Sequence, residues 1–522
     1  MKHTLSAHRR NFFGTPFLFV SLAVWLGFLG WLRPLTLPDE GRYSGVAWEM
    51  ARSGEFFTPL LNGLPYFHKP PLFYWLDMLS MKLFGMNEWA ARAPSLLAAW
   101  LALIGLYFFT RAWRDERAAR VAVVMLAASP LFFGGAQFAN MDMLVAAMIS
   151  LCVLAGADTA LRRAEGRPWR MMSLATAALA ALGVLSKGLI GLALPGMALA
   201  LWFALRRDRR GFLALLWPPA IVVFALVALP WFVLMQMRYP DFFNYFFIYQ
   251  QVERYSGTGF NNAQPFWFYV PLLLGGMLPW TLWIWPLTRK TFWAEDPRGL
   301  RLLMGLWLAV VLVFFSLPAS KLVGYIFPAL MPLVFLLSEA LLSRMKTGEN
   351  FFRAAKPAIT LVAAVAVCLV VTLAIDLAPH RSDKALSLRL RAQINPGDTL
   401  VLLNGYPFDL PFYARYRRAA WVVNDWDNRV ADTQRDNWRK EIYDAGKFDP
   451  AAAHELLITP DVWKQRLCAA PDGGRFWVWG QASALRHYPW LRDLPPAWSR
   501  GETRVWRIET TETFKQSVCA RF

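Results

Sequence analysis

The sequence predicts a mainly α-helical, polytopic membrane protein that carries a compact α/β domain after its last span. Three observations predict it. Of the 522 residues 56% are hydrophobic and mean hydropathy is positive, +0.32. Apolar runs repeatedly reach the roughly 20 residues that cross a bilayer core. Lys and Arg gather between alternate runs, as the positive-inside rule expects of cytoplasmic loops.

The runs place about 11 spans, near 12–32, 90–110, 121–139, 143–161, 171–186, 189–205, 211–236, 267–287, 302–318, 322–343 and 357–375. The first follows Lys2, Arg9 and Arg10 but is too long for a signal-peptide core. No small-x-small cleavage site follows it before Arg33-Pro34, so it reads as a retained anchor with a cytoplasmic N-terminus. Five loops between alternate spans then hold four Lys or Arg each, beginning with Arg111, Arg114, Arg117 and Arg120. With the three at the N-terminus they make 23 of the 33 basic residues before position 377. Orientation therefore explains much of the +19 net charge. With no poly-basic tail and no nucleic-acid motif, nucleic acid is excluded as a partner.

This parity puts the other loops on the periplasmic side of a bacterial inner membrane. They are the long loops 33–89 and 237–266, the short connections at Asn140-Met141-Asp142, Ser186-Lys187-Gly188 and Ser320-Lys321, and the tail 377–522. Residues 1–376 are thus expected to form the membrane domain. The tail alternates β-type runs, such as Thr399–Leu403 and Trp421–Val423, with helix-compatible stretches over about 140 residues, a normal domain size. Cys468 and Cys519 are its only cysteines, and a disulfide or two free thiols are both open to them.

Loop 33–89 concentrates charge where an apolar setting makes it costly. After Pro38, Asp39 and Glu40 start an amphipathic juxtamembrane helix running to about Ser53, with Arg42 and Tyr43 in its first turn. Two acids at a helix N-terminus can simply complement its macrodipole. They can also supply a general base or an orienting group. The rigid turn Pro65-Tyr66-Phe67-His68-Lys69-Pro70-Pro71 precedes a second short helix, Leu72 to Phe84. A lysine held there suits an interfacial anchor or a phosphate. Lys187 and Lys321 each follow a serine at an outer helix end, Tyr325 lies one turn below Lys321, and Asp142 sits on a three-residue connection. Arg254, before a Gly- and Asn-rich turn, can pair with Glu253 or grip a phosphate. No HExxH, CxxC pair, GxSxG elbow or Walker A spacing occurs, and His68 is the single histidine near the cluster.

Asp39-Glu40-x-Arg42-Tyr43, Lys69-Pro70-Pro71-Leu72-Phe73-Tyr74-Trp75, Arg92-Ala93-Pro94-Ser95, Ser186-Lys187-Gly188, Pro265–Pro271 and Ser320-Lys321-x-x-Gly324-Tyr325-x-x-Pro328 together resemble the bacterial C-type (GT-C) glycosyltransferases related to protein mannosyltransferases. The last two motifs look most like the lipid A aminoarabinose transferase branch. The likeness covers nearly all of residues 10–345 and leaves the tail unmatched.

The resemblance implies the GT-C architecture and a sugar donor on undecaprenyl phosphate. The sugar, aminoarabinose or another, would go to lipid A or another envelope glycan at the periplasmic face. It makes Asp39 the catalytic carboxylate. Lys69, Arg254, Lys187, Lys321, Tyr66 and Tyr325 would surround the donor phosphate, with Glu40, Arg42, Tyr43 and Asp142 in the same site. No cofactor is assigned, and a divalent metal stays open. The branch's metal-associated Glu and His are replaced here by His68 and Asn262. The alternatives are a protein O-glycosyltransferase or a lipid-sugar flippase. The flippase would need polar mid-membrane residues, which the spans scarcely provide.

Overall fold

The computed structural model describes every residue except 1, 254–261, 297, 347–348, 379–381, 428–436 and 520–522, with backbone only for 2–13. It is mainly helical. Among the described residues five helices are long and apolar enough to cross a membrane: Glu88–Trp113, Met141–Ala164, Pro218–Arg238, Val323–Leu342 and Ala355–Leu377. A sixth span is formed if Glu116–Ala127 and Pro130–Ala136, bent by 65°, count as one. Gly14–Gly27, Ile190–Arg206 and Leu300–Ser316 are shorter apolar helices.

Several expected spans are not continuous helices, and the one at 267–287 is the most broken. Residues 267–287 break into a helix at Tyr269–Gly276 and 3-10 turns at Trp280–Trp283 and Trp285–Thr288. Hydropathy reads the run as one span. Two adjacent glycines at its helical end, then Pro279 and Pro286, withdraw backbone donors and helix propensity from it.

The spans differ in what covers them. Met141–Ala164 is 89% buried over its most apolar window, whereas Pro218–Arg238 and Ala355–Leu377 are 28% and 17% buried. The first is the packed centre, and the other two expose aliphatic side chains such as Leu226, Leu229, Val362 and Val370. Ser95 Oγ donates to the Asn140 carbonyl at 2.9 Å, so the N-terminal ends of Glu88–Trp113 and Met141–Ala164 lie together. The site is built at that end.

Two amphipathic helices cover it. Asp39–Ser53 and Leu72–Phe84 begin and end where the sequence pattern puts them, and a short Leu60–Leu61/Leu64–Pro65 hairpin separates them.

The C-terminal region is built on a six-stranded sheet. Its order is Leu457–Ile458, Trp421–Val423, Thr399–Leu403, Gly474–Gln481, Thr503–Thr510, Trp498–Arg500. The first four strands pair in parallel and the last two antiparallel. Val401, Trp463, Val478 and Trp506 are buried against the sheet. Cys468 and Cys519 are joined, with S–S 1.98 Å.

Polar contacts seat this region on the helical body. The Asn62 amide pairs with the backbone of Ala420 at 2.8 and 2.9 Å. The Tyr413 hydroxyl receives Leu35 N at 2.8 Å and donates to Glu88 at 3.0 Å.

Candidate functional site

The neighbouring carboxylates of the Asp39–Ser53 helix have opposite environments. Glu40 is fully buried. Arg33 and Arg92 both pair with it, and the backbone amides of Thr36 and Ala139 donate to it at 2.9 and 2.8 Å. Burial opposes ionisation, but Arg92 and Arg33 outweigh it and bring the carboxyl down to about 2. Arg92 also donates to the carbonyls of Gly30, Arg33 and Pro34. The node therefore fastens the start of the helix to the chain before it and to two spans.

Asp39, one residue earlier, keeps 41% of its side chain exposed. Its Oδ1 pairs with Arg42 Nη2 one turn along. Arg42 also reaches Glu441 through Nη1, and the Tyr66 hydroxyl donates to the other Glu441 oxygen at 3.0 Å. Burial first, then Glu441, push the Tyr66 hydroxyl well above its ordinary value, so it stays a donor. Tyr43 is buried in the same cluster, with Arg42 5.1 Å from its ring centroid.

Lys69, on the same turn as Tyr66, lines a cavity of about 90 Å³ with Lys187, Gln250, Gln251, Ser320 and Tyr325, and Phe314, Phe315, Pro318 and Ile190 form its apolar wall. Lys187 ends its helix by pairing with Asp142 and stands 4.3 Å from the Tyr325 ring centroid. Asp142 is itself fixed by Asn140, which accepts its amide at 2.9 Å. A Cβ at position 324 would collide with Asp142 Oδ2, so the Gly before Tyr325 lets the two loops close on each other. Gly188, at φ +94°, similarly makes room for the Gln251 side chain.

Most of the residues expected from sequence converge here. Asp39, Arg42, Tyr43 and Tyr66 form one cluster, and Lys69, Lys187 and Tyr325 line the cavity that Asp142 braces. Two are placed differently. Glu40 is saturated by the arginine node. Lys321 is buried, and its ammonium donates to the carbonyls of Gln264 and Pro318, tying two loops together. A small-residue-lysine pair at a helix end does not reveal whether the ammonium points outward or folds back on its loop. Arg254 lies outside the described residues.

Sequence reading missed Glu441, which meets Arg42 and Tyr66 from 375 residues and more away. Locally it is an acid in the first turn of the Trp438–Gly446 helix, a pattern that signals capping and no partner. Gln250 and Gln251 were also missed, because the expected loop 237–266 contains the π-helical segment Asn244–Glu253, which turns them to the cavity.

The donor set does not fit a metal. Among the described residues no group of three or more His, Cys, Asp or Glu is placed to hold one. His68 is buried with its ring stacked on Tyr66 at 4.5 Å and 5.9 Å from Tyr245. Asn262 sits at φ 68°, and its carbonyl receives Lys321 N. The chemistry below uses no metal.

A small cavity that presents two ammonium groups, with a half-exposed carboxylate in the same network of loops, suits a reaction in which an anion departs. A family model described as dolichyl-phosphate-mannose-protein mannosyltransferase matches residues 68–233. The chain is 32% identical over 323 residues to the undecaprenyl phosphate-alpha-4-amino-4-deoxy-L-arabinose arabinosyl transferase of Pseudomonas aeruginosa, a match covering 60% of this chain and 57% of that protein. The protein of the same name from Erwinia tasmaniensis is 33% identical over 351 residues, covering 65% of this chain and 62% of that one. The chain thus spans about three-fifths of the length of these curated relatives. The crystal structure of ArnT from Cupriavidus metallidurans bound to undecaprenyl phosphate superposes with a TM-score of 0.75 at 25% identity, over 95% of this chain and 98% of that one. The chain is similar to the polyprenyl-phosphate-sugar glycosyltransferases of the aminoarabinose transferase type.

Proposed function

We propose that this protein is a glycosyltransferase that moves a sugar, aminoarabinose or a related amino sugar, from undecaprenyl phosphate to lipid A. The observation that carries the reading is a cavity that presents Lys69, Lys187 and Tyr325, with half-exposed Asp39 tied through Arg42 and Glu441 to Tyr66 on the turn that carries Lys69. The likeness to an ArnT bound to undecaprenyl phosphate supports that lipid as the carrier.

In the reaction an acceptor oxygen attacks the sugar C1, and the C1–O bond to the lipid phosphate breaks with its electron pair. The charge that gathers on the phosphate meets Lys69 and Lys187, already in place, with Tyr325 beside them. Asp142 fixes Lys187 toward the cavity. For a hydroxyl acceptor, Asp39 takes the proton. For a phosphate acceptor, already largely ionised because its second pKa is about 6, Asp39 stabilises positive charge developing on the sugar.

The topology belongs to the same proposal. Eleven passes through the inner membrane and a cytoplasmic N-terminus put both clusters and the 377–522 domain on the periplasmic side, with residues 1–376 forming the transferase body. The disulfide supports that facing, since such bonds persist in oxidising compartments.

Mass spectrometry of lipid A and other envelope glycans from cells with and without the protein tests the reading. A lipid A mass increment of one amino sugar that depends on the protein is expected, and identical lipid A spectra overturn it. The mannosyltransferase family model favours one second reading, a protein acceptor. Label from the donor would then appear in protein.

A further inference from the structure

Glu441 approaches the proposed site from the C-terminal region and is 6% exposed. Its two oxygens are divided, one to Arg42 Nη1 and one to the Tyr66 hydroxyl. Arg42 in turn gives Nη2 to Asp39 Oδ1, so its guanidinium stands between a buried and a half-exposed carboxylate. Ring faces of Tyr43 and Phe408, with centroids 5.1 and 5.7 Å away, hold its plane.

The helix that carries Glu441 is firmly seated. Asn437 caps it by accepting Lys440 N at 2.9 Å, and Ile442 and Ala445 are buried. The Lys440 ammonium lies 4.9 Å from the ring centroid of Tyr249, in the segment that also provides Gln250 and Gln251. One short helix thus touches both walls of the site.

A guanidinium offers a fixed fork of donors and closes readily on both oxygens of one carboxylate. Arg42 is one turn from Asp39 and would do so if nothing else drew it. Glu441 draws one arm away. Asp39 is then bound through Oδ1, and no described contact takes Oδ2.

We infer that Glu441 is a positioning residue for the transfer reaction: it splits the Arg42 fork, so that Asp39 keeps one oxygen open to the incoming acceptor. The inference deepens the transferase reading and rests on it. Among the described contacts, the charged and titratable groups facing Glu441 are Arg42, with Asp39 beyond it, and Tyr43 on the first amphipathic helix, Tyr66 before the second, Tyr74 on it, and Tyr245 on the π-helical segment. The carboxylates paired with Arg42 among the described residues are Glu441 and Asp39, so removing the Glu441 charge leaves Arg42 to Asp39.

The test uses the full-length protein in lipid nanodiscs and an undecaprenyl-phosphate-linked sugar. Glu441→Gln can still accept from Tyr66 but no longer attracts Arg42. It lowers kcat on the order of 10- to 100-fold, the scale of a misplaced reacting group, and leaves the donor KM within about twofold. Glu441→Asp restores part of kcat. Where Arg42→Lys has already removed the fork, adding Glu441→Gln costs nothing further. Wild-type kcat in Glu441→Gln, or additive losses in the double variant, overturns the inference.

A second readout needs no turnover. Water-soluble carbodiimide labels exposed carboxylates, and peptide mapping should find Asp39 labelled several-fold less in Glu441→Gln than in wild type. Equal labelling overturns the inference. A wild type that releases no undecaprenyl phosphate overturns the transferase reading instead, and the labelling still decides whether Glu441 sets the Arg42–Asp39 geometry.

Discussion

At one end of the helical body Arg114 and Arg301 share Glu339, and Arg114 also pairs with Asp296. Asp296 further accepts the amides of Leu300, Arg301 and Leu302, so it caps the Leu300–Ser316 helix. At the opposite end Lys187 holds Asp142 and Arg42 joins Asp39 to Glu441, but here the first pair borders a cavity and the second leaves a carboxylate half exposed. Both networks are charge in a membrane protein, which by itself is a functional hypothesis. What separates them is whether the charges spend all their bonding capacity on one another. The Glu339 network closes on itself and fixes helix ends. The Asp39 network leaves a face for something else.

The sharpest way to break this contrast is Asp39→Asn. Because Asp39 is half exposed and bound by one arginine, the variant should fold like wild type and lose about 100-fold or more in transfer rate. A wild-type rate, measured as undecaprenyl phosphate released, would remove Asp39 from the chemistry. The neighbouring Glu40→Gln should behave in the reverse way, costing about 3 kcal/mol of stability by leaving buried Arg92 with carbonyl acceptors alone and Arg33 with Asp376 as its one described carboxylate. Thermal unfolding in detergent reads this.

The same carboxylate carries a pH signature. Glu40 is held at about 2 in the fold, below its ordinary 4.5, so its contribution is complete above about 4.5 and is lost as pH falls toward 2. Glu40→Gln should flatten that part of the stability profile.

Glu339→Gln, at the closed end, should lower stability by about 1–3 kcal/mol, the cost of a weakened buried polar pair, and leave kcat within about twofold. A large kcat effect there would blur the distinction between the two ends.

A stability effect of opposite sign with pH is expected at Asp409, buried where the C-terminal region meets Gly41. Burial and Asp383 push its carboxyl up to about 7, while Ser382 and backbone amides lower it only in part. A raised carboxyl costs nothing when protonated in both states and most when ionised in both. Stability should therefore decline as pH rises from about 4 to 7. Asp409→Asn should remove that slope and be more stable than wild type above about pH 7.

Much of this was legible in the sequence, for identifiable reasons. Pro38 with paired acids and Pro70-Pro71 mark helix starts, so Asp39–Ser53 and Leu72–Phe84 were bounded correctly. Short outer loops carrying Lys187 and Asp142 had to lie near one another once span parity put them at one end. Partners across long separations were not legible. Glu441 is an ordinary first-turn acid until the fold carries it to Arg42 and Tyr66. Nor does a lysine beside a serine declare whether it faces a cavity, as Lys187 does, or its own loop, as Lys321 does. The 267–287 run is not one continuous helix, which hydropathy does not show, because it counts apolar residues and ignores where glycine and proline interrupt a helix.

The most direct test of the central claim compares Asp39→Asn with Glu339→Gln in one assay. Purified proteins receive an undecaprenyl-phosphate-linked amino sugar and lipid A, and released undecaprenyl phosphate is quantified with time. The open-end variant should release about 100-fold less than wild type, and the closed-end variant should match wild type per folded molecule. Equal rates from the two variants would contradict the account.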